Sequence, residues 1–147
     1  MPLYFAYGSN LDAEQMRERC PGSSLISTGV LKGYRIDFTR YSRGFNGGVA
    51  DVLADPAQDV WGKVWELTNE HFESLDGYEG YPIVYTRFQS VIMGPREKFT
   101  DVWVYTVVNK KSFVAPSEFY LNIIKQAAID YGFPESYRSM LNTITTQ

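Results

Sequence analysis

At 147 residues the chain has the length of one domain, and 44% hydrophobic with 21% charged residues is the composition of a folded core, not of a disordered segment. The net charge of −3, with lysine and arginine scattered and never in a run, argues against a nucleic-acid or anionic-membrane partner, and no apolar stretch is long enough to span a bilayer. One cysteine, Cys20, and one histidine, His71, exclude an internal disulfide framework and a Cys/His zinc site.

The elements read in chain order as follows. Leu3 to Tyr7 is a short buried strand that ends at the small polar turn Gly8-Ser9-Asn10. Asn10 or Asp12 can cap a short helix over Ala13–Arg19, closed by Cys20-Pro21-Gly22. Residues 25–42, rich in Thr, Val, Ile, Tyr and Phe with interspersed Gly, read as one or two strands with a bend. Asn46-Gly47-Gly48 is a turn into another strand, residues 55–59 (DPAQD) form a turn, and residues 60–67 form a strand apolar on both faces. Thr68 caps a helix with Phe72 and Leu75 on its apolar side; Gly77 interrupts that helix and residues 76–82 are a loop. Residues 83–93 and 99–108 form a strand pair. Tyr120, Ile123, Ile124, Ala127, Ala128 and Tyr131 then line one face of an amphipathic helix that Gly132 stops. Pro134 starts a last helix, which packs through Tyr137, Met140, Leu141 and Ile144. About six strands followed by helices indicate an α+β fold, with a sheet or small barrel covered on one side. Met1-Pro2 leads directly into apolar sequence with no basic and apolar leader, so the expected location is cytoplasmic.

Few residues carry obvious chemistry. A Cys–His dyad would have to pair Cys20 with His71, and a Ser-His-Asp triad would also need His71, which sits in the polar first turn of a helix and reads as an exposed or capping residue. The Gly8-Ser9-Asn10 turn is either a plain strand-to-helix connection with Asn10 as cap, or a nest of backbone N–H groups for a carboxylate or oxyanion. Glu79, between Gly77 and Gly80 and flanked by Tyr78 and Tyr81, is either a solvated loop residue or a carboxylate held against aromatic surface. In the second case its pKa rises and it can shuttle protons. Helical spacing continued from Phe72 and Leu75 would bring it to the core-facing side. Tyr85, Tyr105 and Tyr120 are either core residues or pocket hydroxyls; eleven tyrosines in a chain that is 16% aromatic leave room for both.

The stretches LYFAYGSNL, NGGVADV, VWGKVWEL, SLDGYEGY, the Tyr85-Thr86-Arg87 strand and APSEFYLNIIKQAAIDYGFPESY, in that order along nearly the whole chain, resemble the gamma-glutamylcyclotransferase (AIG2-like) superfamily. The resemblance implies one domain over residues 1–147, folded as a compact mixed β-barrel with flanking helices. It implies an intramolecular reaction in which the α-amine of a γ-glutamyl unit attacks its own γ-carbonyl, forming 5-oxoproline and releasing the attached amine or amino acid. No metal or cofactor is implied. Glu79 matches the acid/base of the family. Tyr7, Gly8, Ser9, Asn10 and Leu11 match its substrate-binding loop, and Tyr85 and Tyr120 match tyrosines near the substrate. The chemistry suits a chain so poor in His and Cys, because the nucleophile belongs to the substrate. The short segment after Glu79, with Tyr81-Pro82, resembles γ-glutamylamine cyclotransferase-like members. It leaves the leaving group open between a free amino acid, an amine and a larger biosynthetic intermediate. A catalytically silent ligand-binding module and an amidase releasing glutamate are the rival readings. The expected partner is a small γ-glutamyl molecule, with neither nucleic acid nor membrane, and the protein acts as a monomer or homodimer.

Overall fold

The computed structural model describes all 147 residues. Its strands are β1 (Leu3–Ala6), β2 (Ser24–Ser42), β3 (Gly47–Glu66), β4 (Tyr85–Met93) and β5 (Lys98–Val107). They close into a barrel in the order β1-β3-β2-β4-β5, with β1 and β5 parallel and the other pairs antiparallel. The mixed barrel with flanking helices agrees with the α+β expectation. Because β1 is flanked on both sides, by β3 (Phe5 opposite Val64) and by β5 (Tyr4 opposite Trp103), Tyr4, Phe5 and Ala6 are all buried.

There are five strands, not six, because the expected turn at 55–59 is absent. The β2–β3 ladder steps from Lys32 opposite Asp59 to Tyr34 opposite Ala54. Residues 55–58 therefore lie unpaired against Gly33 alone, which takes the left-handed φ of 82°. Proline and polar side chains break the ladder there without reversing the chain. Likewise residues 25–42 belong to one bent strand, with register shifts at Leu25/Ser27, Lys32/Tyr34 and Phe38/Arg40. At the far end Ser42 faces Gly47 across a loop of residues 43–46, so Gly47 and Gly48 already belong to β3. A side chain on Gly48 would collide with the Val114 backbone, which crosses the hairpin there. The Gly48 N–H donates to the Ala115 carbonyl at 2.9 Å, and Ser117 Oγ donates to the Phe45 carbonyl at 2.8 Å.

The helices are α1 (Ala13–Arg19), α2 (Asn69–Glu79), α3 (Glu118–Asp130) and α4 (Glu135–Asn142). Asp12, not Asn10, caps α1, accepting from the Glu14 N–H. Thr68 and His71 form a reciprocal capping box at the start of α2. His71 Nδ1 accepts from the Thr68 N–H, and its Nε2 meets the Pro21 carbonyl at 2.7 Å and so carries the proton. Both ring nitrogens are occupied, so no Cys20–His71 dyad forms. Burial raises the Cys20 thiol to about 11, and it points at the His71 carbonyl instead of the ring. Helix α3 buries Tyr120, Leu121, Ile124, Ala127 and Ala128 against the barrel, and no helix is long and apolar enough to cross a membrane.

Two charged residues sit fully inside. The Lys63 ammonium lies 3.8 Å from the Tyr131 ring centroid and 5.3 Å from that of Trp65. Asp51 ties three strands together: its carboxylate accepts from Thr39 Oγ1, Thr106 Oγ1, the Val107 N–H and Lys110 Nζ. Removing it strands the buried Thr39 hydroxyl and Val107 N–H. Asp51→Ala is expected to cost about 3 kcal/mol in urea unfolding, against under 1 kcal/mol for an exposed pair such as Lys32–Asp59.

Candidate active site

The end of α2 sets the site. The helix is not interrupted at Gly77. It continues to Glu79 and stops at Gly80, whose φ of 65° and ψ of 35° are left-handed. The Tyr81 N–H reaches the Asp76 carbonyl at 2.9 Å and the Gly80 N–H reaches the Gly77 carbonyl at 3.3 Å, the two bonds of a Schellman motif. Gly77 costs some helix propensity, but the tertiary contacts of the helix override it. Residues 76–79 are therefore helical, not loop, and Glu79 stands on the same face as buried Phe72 and Leu75. One turn earlier, Asp76 anchors the helix end to the barrel. Its carboxylate accepts two bonds from Arg87, at 3.0 and 3.1 Å, and one from Tyr105 Oη at 2.6 Å. Arg87 is itself stacked on Phe72, Tyr81 and Trp103.

The Glu79 carboxyl is held among apolar and aromatic groups and makes no hydrogen bond or ion pair within the protein. Burial raises its pKa from 4.5 to about 7, Arg19 opposing the shift and Asp76 adding to it. The carboxyl terminus of a helix is also the wrong end for a negative charge.

Glu79 faces a cavity of about 450 Å³ whose other walls come from all five strands, the turn after β1, α1 and α3. Tyr7, Gly8, Ser9, Asn10, Tyr85 and Tyr120 all line it, together with Tyr4 and Tyr105. Leu11, grouped with the loop by resemblance, does not: its side chain is in the core at 1% exposure. Ser9–Leu11 form a single 3₁₀ turn, and the side chains of Ser9 and Asn10 are tied down by α1. Gln15 Nε2 donates to Ser9 Oγ at 2.7 Å and to Asn10 Oδ1 at 2.9 Å, Arg19 also donates to Asn10 Oδ1, and Asn10 Nδ2 donates to Tyr4 Oη at 2.8 Å. Both residues thus shape the loop with their side chains and leave backbone at the cavity. The Gly8 N–H has no acceptor in the protein. A β-carbon on Gly8 would stand 3.0 Å from Tyr120 Oη and 3.3 Å from Ala50 Cβ, a tight fit that would make those side chains give by a few tenths of an ångström.

The Ala50 peptide joins two of the tyrosines. Tyr85 Oη donates to the Ala50 carbonyl at 2.9 Å, and the Ala50 N–H donates to Tyr120 Oη at 2.9 Å. A hydroxyl that accepts from an N–H keeps its own proton free, and that of Tyr120 has no acceptor in the protein. Tyr7 Oη instead donates to the Tyr105 carbonyl at 2.7 Å. Burial holds the Tyr7, Tyr85 and Tyr120 hydroxyls protonated far above neutrality.

Three arginines, Arg19, Arg40 and Arg43, complete the lining, and Glu79 is its one carboxylate. The sequence reading passed over them because scattered basic residues give no run; only their positions around the turn and hairpin converge. No group of three or more metal-ligating side chains occurs.

Residues 59–141, more than half of the chain, match the model of the AIG2-like family. The chain is 33% identical to the gamma-glutamylcyclotransferase of Bos taurus and 31% identical to that of Homo sapiens, each over 147 residues that cover 97% of this chain and 78% of the relative. Among solved structures it is similar to a gamma-glutamyl cyclotransferase, with a TM-score of 0.91 and 29% identity over 99% of this chain and 89% of that one.

The Glu79 environment has a consequence for stability. The folded protein holds the Glu79 proton up to about pH 7, whereas the unfolded chain releases it near 4.5, so ionisation weakens the fold progressively between those values. Glu79→Gln removes that penalty. Its melting temperature is expected to exceed wild type by about 2–5 °C at pH 8 and to match it at pH 4 in paired thermal scans.

Proposed function

The chain belongs to the gamma-glutamylcyclotransferase family, and on that premise we propose that it cyclises the γ-glutamyl unit of a small molecule to 5-oxoproline, with Glu79 as the proton carrier. The observation that carries the reading is one unpaired carboxyl, titrating near neutrality, in the same cavity as the Gly8-Ser9-Asn10 turn and the free Tyr120 hydroxyl.

The chemistry follows from those groups. The α-ammonium of the glutamyl unit gives its proton to ionised Glu79 and becomes a nucleophile. Its nitrogen attacks the γ-carbon of the same unit, forming the new C–N bond and a tetrahedral oxyanion, and the now cationic ring nitrogen loses its surplus proton to water. The Gly8 N–H and the Tyr120 O–H are the donors available to that oxygen. Protonated Glu79 then delivers its proton to the leaving nitrogen, the original C–N bond breaks, and the released amine departs. A carboxyl near pH 7 suits both transfers, since it accepts from an ammonium and donates to an amide nitrogen at little cost in either direction. The cavity walls supply the rest by holding amine and carbonyl in near-attack geometry.

The amidase reading needs a protein nucleophile beside a base. Neither Cys20 nor His71 lines the cavity, and Ser9 Oγ is engaged by Gln15. All groups invoked come from one chain, so a monomer and a homodimer serve equally. We place the activity in the cytoplasm, where a lone buried thiol such as Cys20 stays reduced.

Glu79→Gln is expected to lower kcat by at least about 100-fold on γ-glutamyl-alanine while the protein stays folded. The wild-type kcat/KM should rise with pH along a limb centred near 7, as Glu79 loses its proton. Mass analysis of the product should give 5-oxoproline; glutamate, one water heavier, would identify an amidase. Tyr120→Phe should reduce kcat about 10–100-fold with a smaller change in KM, the signature of a donor used mainly in the transition state.

A further inference from the structure

Arg19 is a cation in the cavity wall with no carboxylate of its own. It is half-buried, and its guanidinium makes one hydrogen bond, to Asn10 Oδ1 at 3.1 Å, and no ion pair. The same group lies 4.6 Å from the ring centroid of Tyr78, the residue before Glu79. It therefore spans from the turn after β1 to the end of α2.

Three contacts tie the end of α1 to α2 and so place this cation. Ser74 Oγ donates to the Arg19 carbonyl at 2.6 Å, His71 Nε2 donates to the Pro21 carbonyl at 2.7 Å, and the Cys20 thiol points at the His71 carbonyl. The Arg19 backbone is thus fixed to the helix whose last residue is Glu79. Asn10 and the Tyr78 ring then fix its side chain.

Among the charges around Glu79, Arg19 is the one cation that favours the ionised carboxyl. Asp76, on the same helix, opposes it, but that carboxylate is matched by Arg87. Arg40, on β2, acts on Tyr85, and Arg43 stands exposed on the hairpin. Tyr4 and Tyr7 on β1 and after it, Tyr85 on β4, Tyr105 on β5 and Tyr120 on α3 are held protonated by burial and carry no charge. In a poorly solvated cavity a cation acts over several ångströms. Without a direct ion pair it stabilises the carboxylate and leaves both oxygens free for proton transfer, which a salt bridge would not.

Resting on the cyclotransferase reading, we infer that Arg19 is a positioning residue for the proton transfer: acting through Glu79 and not on the substrate, its fixed charge keeps the carboxylate in the ionised form that takes the ammonium proton. Without that charge the buried carboxyl holds its own proton at neutral pH, and the first transfer lacks an acceptor.

Arg19→Gln and Arg19→Lys test the assignment. Gln15 also holds Asn10 Oδ1, at 2.9 Å, so the turn keeps a tether in both variants. In Arg19→Gln the midpoint of the Glu79 carboxyl-carbon NMR titration is expected to move up by about one pH unit, and in Arg19→Lys, which keeps the charge, by less. Activity should follow the midpoint. With γ-glutamyl-alanine, assayed by 5-oxoproline release, Arg19→Gln should lose about tenfold in kcat/KM at pH 6 and approach wild type at pH 9, where Glu79 is ionised in both. An unchanged or lower Glu79 midpoint in Arg19→Gln would overturn the assignment. So would a loss of equal size at pH 6 and pH 9, which would make Arg19 a substrate-binding or loop-shaping residue. Absence of 5-oxoproline with the wild-type protein at every pH would overturn the cyclotransferase reading itself, and this assignment with it.

Discussion

A carboxyl removed from water without a partner keeps its proton to higher pH, and the placing of one such group governs the cavity of this protein. Glu79 reaches that position because α2 ends at Gly80 and because Asp76, one turn before, is clamped by Arg87 and Tyr105. The clamp matters as much as the burial. A carboxyl on a frayed helix end would find water and return to its ordinary range, whereas this one is held against the tyrosines by three charge-assisted bonds made through its neighbour.

The opposite wall is equally fixed, and by backbone. The Ala50 peptide sets the Tyr85 and Tyr120 hydroxyls on either side of itself, and Asp51, next in sequence, pins that strand to β2 and β5. The Gly8-Ser9 turn packs closely on Tyr120, where a β-carbon on Gly8 would be tightly fitted. Glu79, the Gly8 N–H and the Tyr120 hydroxyl thus come from separate stretches of chain, brought to one cavity by barrel closure. On the proposed reading little reorganisation is left for the moment of reaction, which is where preorganised donors gain their advantage over water.

Much of this was legible in the sequence where the signal is local. The early apolar strand, the polar turn after it and the spacing of Tyr120 through Tyr131 each report a periodicity or a turn that the fold keeps. Two readings failed for one shared reason. Residues 55–59 and Gly77 carry breaker residues, yet ladder pairing on either side of the break in one case and packing of Phe72 and Leu75 in the other outweigh local preference. The second failure hid the position of Glu79, since a loop residue and the last residue of a helix differ in which way the side chain points. Leu11 shares the turn with Gly8 and Ser9, but its apolar side chain turns to the core. The arginines of the cavity were not legible, because isolated cations gain meaning only from neighbours distant in the chain.

The central claim concerns the charge state of one side chain, and a carboxyl-carbon NMR titration of the glutamate-labelled protein reads it directly, with Glu79→Gln assigning the resonance. The Glu79 carboxyl carbon is expected to titrate with a midpoint near 7. A midpoint at the ordinary 4.5 would mean that Glu79 is solvated and ionised throughout, and would contradict its role as the proton carrier.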